Sequence, residues 1–310
     1  MRTKSWVLGF ILPVVAASQT EAQSASKPGD TQQMFDSAKA AVDVLLQACK
    51  DNDTEALVRL FGPRLKAAVE KIDDAEERIH RHRFWEQSQE AIKLEEQSPE
   101  KVFIVVGKEM SQLPIPLVKE ARGWRFDTDE GFEELAARRI GENELAAIAV
   151  GREYLSAQRE YAAYDHDGDG VLEYAQRLRS SPGMHDGLYW PTSEGSQEPL
   201  SPFGPLLAQA DISMKEIESQ GGFMGYRFKV LTRQGGNVPG GSYDYVINGN
   251  LIAGFALLAW PEDYRSSGVM SFLVSHHGRI YQKDLGPQTA SIAEAMEVLN
   301  PDESWKVVVE

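Results

Sequence analysis

Residues 243–260 read YDYVINGNLIAGFALLAW, and this stretch decides how the second half of the chain folds. Aromatic and β-branched residues precede Asn248-Gly249, and an apolar run that ends at Trp260 follows. Asn-Gly favours the type I′ turn between antiparallel strands, because both of its positions need a positive φ. The stretch therefore predicts a β-hairpin, with one strand over residues 243–247 and the other over residues 251–260.

More elements surround this hairpin in the sequence. A turn at His276-His277-Gly278 separates two β-rich segments, and a helical period before the hairpin has an expected interruption near Gly141. The predicted elements are strands over residues 226–231, 269–274 and 279–282 and helices over residues 129–164 and 288–299. The second half is thus predicted to be a long helix packed on an antiparallel sheet.

Helical patterns dominate the first half. Apolar residues recur at helical steps from Gln33 to Cys49, and Asp53 or Thr54 can cap a second helix that Gly62-Pro63 ends. Residues 64–97 read as a charged helix that ends in a polar stretch, and strands follow over residues 102–106, 115–118 and 123–126. The predicted fold class is α+β, with an N-terminal domain over residues 33–140 and a C-terminal domain over residues 141–310.

The first 22 residues have the anatomy of a signal peptide. Arg2 and Lys4 precede a short apolar run, and small residues follow it. We expect residues 1–22 to be removed and residues 23–32 to form a flexible leader, which places the mature protein in the periplasm or outside the cell. Because no later run is apolar enough to cross a bilayer, no membrane span is expected in the mature chain.

The net charge limits the classes of partner that the chain can bind, and the cysteine content limits its covalent cross-links. The formal net charge is −15 over 310 residues, so the surface repels nucleic acid, and we expect an envelope or extracellular partner instead. Cys49 is the only cysteine, so no intrachain disulfide can form, and its place on an apolar helix face predicts a buried structural thiol.

The strongest chemical signal is the acidic loop, residues 165–173, which reads DHDGDGVLE. Ca²⁺ takes several oxygen ligands, and a loop offers them best from alternate positions around a sharp glycine turn. The predicted ligands are the carboxylates of the acidic residues and one backbone carbonyl, namely Asp165, Asp167, Asp169, Val171 and Glu173. We therefore predict a Ca²⁺ site, with an Asp/Gly-rich turn that binds no metal as the alternative.

The twelfth position of the acidic loop departs from the helix–loop–helix calcium pattern. Gln176 stands there instead of a bidentate glutamate, which predicts weak binding, in the ~10⁻⁴–10⁻³ M range of extracellular structural sites. The substitution argues against a calcium-sensor switch.

A catalytic alternative lies close to the acidic loop. His185-Asp186 with Ser180 or Ser181 offers the residue types of nucleophilic catalysis, although no nucleophile-elbow motif accompanies them. Four glycines at positions 235, 236, 240 and 241 lack the strand-to-helix setting of a phosphate loop and indicate an ordered β-connection.

Several segments resemble a known family. They are WRFDT (residues 124–128), RRIGENEL (138–145), AQREY (157–161), DGLYW (186–190), GGSYDY (240–245), GFA through WP (254–261) and YQKDLGP (281–287). Together they resemble the bacterial exported family called "domain of unknown function 2950", over about residues 33 to 307. The resemblance implies an envelope or secreted protein and no assigned activity.

A weaker resemblance concerns residues 142–287. Their order of helix, Asp/Gly-rich loop and strands is similar to the globular heads of pilin-like proteins, without the long apolar stalk. From these features we expect an exported, non-enzymatic binding or structural module with a Ca²⁺-binding loop. An envelope hydrolase with a site near residues 165–190 is the alternative.

Overall fold

The computed structural model describes residues 32–62, 65, 74–192, 200–204 and 223–309. The predicted signal peptide and the predicted leader up to residue 31 lie outside the described residues, as does most of the stretch 63–73. The chain divides into two compact units, unit 1 (Met1–Arg138) and unit 2 (Arg139–Glu310). No helix in the described ranges is long and apolar enough to cross a membrane.

Side chains cap the first turns of two helices of unit 1. The unit contains helices α1 (Ala38–Asp51), α2 (Thr54–Phe61) and α3 (Asp74–Glu90). Ser37 Oγ accepts a hydrogen bond from the Ala40 N–H, and Asp53 Oδ1 accepts one from the Ala56 N–H, so Asp53 rather than Thr54 is the cap of α2. The prediction of a buried Cys49 is confirmed, because its side chain lies in the core of unit 1 and the residue is 2% exposed.

A small antiparallel sheet completes unit 1. Its strands are β1 (Ile92–Ser98), β2 (Lys101–Val106), β3 (Ser111–Gln112), β4 (Leu117–Glu120) and β5 (Gly123–Phe126). They lie in the order β1-β2-β4-β5, and β3 also pairs with β2. The prediction that residues 64–97 are helical is wrong from Ile92 onward. The alternation of apolar and polar residues in β1 ends at Glu95, because the remainder of this exposed edge strand is polar.

One long helix, α4 (Thr128–Tyr161), follows this sheet. The predicted interruption at Gly141 is wrong, since the helix is continuous there. A helical glycine costs only about 1 kcal/mol relative to alanine. The turns before and after Gly141 remain helical, so the other residues of α4 stabilise the helix enough to offset this cost.

The sheet of unit 2 is antiparallel. Its strands are β6 (Tyr226–Leu231), β11 (Ala256–Pro261), β12 (Met270–Ser275), β13 (Ile280–Asp284) and β14 (Lys306–Val307), in the order β14-β13-β12-β11-β6. Two short pairs flank it, β7 (Arg233–Gln234) with β8 (Tyr243–Asp244) and β9 (Val246–Ile247) with β10 (Asn250–Leu251).

The predicted hairpin over residues 243–260 is only partly right. Asn248 and Gly249 have φ of 53° and 97°, as a type I′ turn requires. The two strands pair over only two residue pairs, however, because the chain changes partners on each side of the turn. The N–H of the fully buried Tyr245 donates to the Thr232 carbonyl, and β11 pairs instead with β6 and β12.

Helix α4 packs on this sheet, as predicted. Gly151 lies so close to Val274 and Ile280 that a β-carbon would meet the Val274 side chain at 2.8 Å. The hydroxyl of Tyr154 donates to the Ala256 carbonyl at 3.3 Å. A short helix, α5 (Thr289–Ala295), also packs against β11. The α+β class is therefore confirmed.

Candidate metal site

The acidic loop begins four residues after the end of α4. Gly168 and Gly170 have φ of 78° and 85°, a left-handed conformation that side chains with a β-carbon rarely adopt. These two residues turn the chain sharply, so the three aspartates on alternate positions lie on the inside of one curl.

Three aspartate carboxylates converge in this curl. Asp165, Asp167 and Asp169 each place one carboxylate oxygen within 4.8 Å of the other two, and all three residues are exposed. They form the one such group of three acidic, histidine or cysteine residues in the described part of the chain. Oxygens at that spacing can share one hard cation.

Backbone N–H groups hold the aspartates in place. The Asp165 carboxylate accepts from Gly168 at 2.8 Å and from Gly170 at 3.0 Å, and Asp169 Oδ1 accepts from Val171 at 2.8 Å. The hydrogen bonds from Gly170 and Gly168 lower the pKa of Asp165, because they stabilise its charged form. This carboxylate therefore stays ionised at neutral pH and is available to a cation.

The other two predicted ligands have different surroundings. Glu173 lies outside the three-carboxylate group, and its Oε2 accepts a hydrogen bond from the Leu251 N–H at 3.0 Å. The N–H of Val171 faces Asp169. Glu173 thus ties the acidic loop to the β9–β10 hairpin.

Two further contacts join the acidic loop to that hairpin. Asn250 Nδ2 donates to Asp169 Oδ2 at 2.9 Å, and Gln176 Nε2 donates to the Gly249 carbonyl at 2.6 Å. The sequence did not indicate these partners, because they lie more than 70 positions away along the chain. A cation bound at Asp169 would therefore restrain the hairpin as well as the acidic loop.

A buried glutamine closes the base of the acidic loop. Gln158 on α4 is fully buried, its Nε2 donates to the Ala175 carbonyl at 2.9 Å, and its Oε1 accepts from the Ala175 N–H at 2.8 Å. Its Nε2 also contacts the Tyr154 hydroxyl at 2.9 Å. This clamp fixes the two ends of the stretch that holds the aspartates.

Aromatic and imidazole rings pack beside the loop. His166 stacks on Tyr161 with ring centroids 4.0 Å apart, and His185 stacks on the buried Trp190 at 4.3 Å. Burial lowers the pKa of His166, while its hydrogen bond to the Tyr161 carbonyl opposes that shift. Because His166 belongs to the acidic loop and lies 5.7 Å from Trp190 between ring centroids, these rings join the loop to the core of unit 2.

The residues of the catalytic alternative form a different arrangement from a triad. Ser181 Oγ donates directly to Asp186 Oδ2 at 2.8 Å, and Ser180 Oγ hydrogen-bonds with the Gly187 backbone. Among the described residues, no hydrogen bond joins the His185 ring to either serine. Triad chemistry places the imidazole between hydroxyl and carboxylate, so this geometry favours a structural role for the serines.

The glycines at positions 235–241 lie in the connection between β7 and β8. The buried Gln234 donates from Nε2 to the carbonyls of Pro239 and Gly241, at 3.0 and 2.7 Å. Its Oε1 accepts from the Tyr245 hydroxyl at 2.9 Å. Gln234 thus holds the end of this connection, and the Asn300 side chain holds its middle by accepting from the Asn237 N–H at 3.0 Å.

The model of the family described as "Protein of unknown function (DUF2950)" matches residues 32–308. The chain belongs to this family. The match spans both units and includes the acidic loop, and the family's description names no activity. No curated protein and no solved structure matches the chain. The similarity of unit 2 to pilin heads therefore stays a prediction.

Proposed function

We propose that this chain is an exported envelope protein, periplasmic or secreted, and a non-enzymatic binding or structural module. In this proposal one Ca²⁺ ion stabilises its second unit. The proposal depends on one observation, the convergence of three exposed aspartate oxygens within 4.8 Å of one another. The partner of the module would be another envelope or extracellular component, since a net charge of −15 disfavours nucleic acid.

The expected role of the ion is structural. Three carboxylates this close repel one another, and a divalent cation removes that repulsion. Because Asp169 also binds Asn250 and Glu173 binds the Leu251 N–H, the ion would hold the acidic loop against the β9–β10 hairpin. Exposure of the three aspartates suits a weak site that fills in a calcium-rich exterior.

Thermal unfolding of residues 23–310 in chelator, in about 10 mM Ca²⁺ and in about 10 mM Mg²⁺ tests this proposal. A dissociation constant of ~10⁻⁴–10⁻³ M predicts a stabilisation of about 1.4–2.7 kcal/mol in Ca²⁺. For a unit of this size, that raises the melting temperature by about 3–10 °C. Mg²⁺ should act less, since it demands a tighter octahedral set of ligands.

Two matched variants locate the effect. Asp167→Asn removes one charge and keeps an oxygen for the Asp169 N–H, so it should abolish most of the Ca²⁺ shift. Glu303→Gln removes an exposed charge outside the acidic loop and should leave the shift unchanged. Equal melting temperatures in chelator and Ca²⁺, or a full shift in Asp167→Asn, would contradict the proposal.

A further inference from the structure

Strand β1 forms an open edge of the sheet in unit 1. It pairs with β2 alone among the described strands, and six of its seven residues are exposed. Ile92 lies at the start of the strand and is 42% exposed. Up to the irregularity in the register between Glu96 and Ser98, this edge presents unpaired backbone groups that can bind another strand.

The pairing with β2 shows which backbone groups are unpaired. The Gly107 N–H donates to the Ala91 carbonyl at 2.9 Å, so this pair is hydrogen-bonded. Hydrogen-bonded and non-bonded pairs alternate in an antiparallel ladder, and the register continues with Ile92 opposite Val106. The N–H and C=O groups of Ile92, Leu94 and Glu96 therefore point away from β2.

The side chains of β1 carry opposite charges on one face. Lys93 and Glu95 are exposed neighbours on the same side of the strand, and neither forms an ion pair within the described residues. Leu94 lies on the other side and packs against the core of unit 1. The exposed face thus offers one positive and one negative group, two residues apart.

We propose that β1 pairs antiparallel with β1 of a second copy of this chain, with Leu94 opposite its counterpart on the two-fold axis. In this register Ile92 lies opposite Glu96, and all three outward residues of each copy form hydrogen bonds across the interface. Lys93 then lies opposite Glu95 twice, in the non-bonded pairs where side chains approach most closely. Such an interface is self-complementary, as a two-fold dimer requires.

The charges of Lys93 and Glu95 favour this register over the two registers that are shifted by two residues. A slip of two residues, the smallest that keeps the hydrogen-bond alternation, sets Lys93 against Lys93 or Glu95 against Glu95. Like charges directly opposite each other destabilise a strand pair. Charged residues on an edge strand usually prevent pairing with other chains, so the pattern on β1 also excludes most foreign strands.

Sedimentation velocity of residues 23–310, at concentrations up to about 1 mM, tests the dimer. We expect a concentration-dependent shift from monomer to dimer in the wild type. Lys93→Glu places like charges in both close pairs and should weaken the dimer about tenfold. The double variant Lys93→Glu/Glu95→Lys restores opposite charges and should return the dissociation constant to within about threefold of the wild type.

Two controls separate this effect from loss of fold or of general charge. At concentrations low enough for every protein to be monomeric, the variants should unfold at the same temperature as the wild type, because Lys93 and Glu95 are exposed. Lys119→Glu reverses an exposed charge on β4, away from the open edge, and should leave the dimer intact. A wild type that stays monomeric would overturn the proposal, and so would a double variant that dissociates like Lys93→Glu or a Lys119→Glu variant weakened equally.

Discussion

Replacing Gln158 with leucine tests whether the glutamine clamp holds the acidic loop. Leucine keeps most of the side-chain volume but removes three hydrogen bonds, two with the Ala175 backbone and one with the Tyr154 hydroxyl. Both Gln158 and Ala175 are buried, so water cannot replace these bonds without opening the core.

The magnitude follows from these contacts. Each net hydrogen bond contributes about 1 kcal/mol, and a buried backbone group left without a partner costs about 1–3 kcal/mol. Added leucine hydrophobicity offsets part of this loss. We expect Gln158→Leu to lower the free energy of unfolding of unit 2 by about 4 kcal/mol.

Urea unfolding followed by fluorescence measures this loss, with Gln176→Ala as the control. Gln176 makes its hydrogen bond to Gly249 on the exposed surface, so its removal should cost less than about 1 kcal/mol. Amide hydrogen exchange of residues 165–175 should also speed up in Gln158→Leu. A loss below about 1.5 kcal/mol, or one equal to that of Gln176→Ala, would refute the clamp.

Three further predictions use groups elsewhere in the molecule. Burial lowers the pKa of His276, and the neighbouring His277 lowers it further, so unit 2 should lose stability as the pH falls below about 6.5. Urea midpoints between pH 5 and 8 should show a slope that His276→Gln reduces more than His277→Gln does. The hydroxyl of the fully buried Ser271 has no hydrogen-bond partner among the described residues, so Ser271→Ala should leave the free energy of unfolding unchanged or raise it by about 1 kcal/mol. Ser180→Ala removes a hydroxyl that is hydrogen-bonded to the Gly187 backbone and should lower that free energy by about 1–3 kcal/mol. Calorimetry measures both changes. Burial raises the pKa of Cys49 to about 12, so a thiol reagent at pH 8 should label it only in denaturant; rapid labelling of the native chain would contradict its burial.

Local signals explain what could be predicted from the sequence. The Asn248-Gly249 turn, the Asp53 cap and the aspartate spacing of the acidic loop each depend on residues a few positions apart, and backbone sterics make them recognisable. The long helix and the antiparallel sheet of unit 2 were predictable for the same reason, because their periods are 3.6 and 2 residues.

Long-range pairing explains what could not be predicted. Strand β1 has few buried side chains, and its membership of the sheet depends on β2 rather than on its own pattern. The contacts of Asn250 with Asp169 and of Gln158 with Ala175 join residues that no local spacing relates. Likewise, the change of partners at Tyr245 depends on Thr232 and on Gln234 of β7, which lie in a separate segment.

The most direct test of the calcium site is an NMR titration of residues 23–310 with Ca²⁺. The amide groups of Gly168 and Gly170 donate to Asp165, so their resonances report on the centre of the acidic loop. We predict that both shift with one saturable midpoint at ~10⁻⁴–10⁻³ M Ca²⁺, together with the Leu251 amide of the hairpin. Glycine amides that stay unmoved at millimolar Ca²⁺, or that move linearly and equally with Mg²⁺, would contradict a calcium site in this loop.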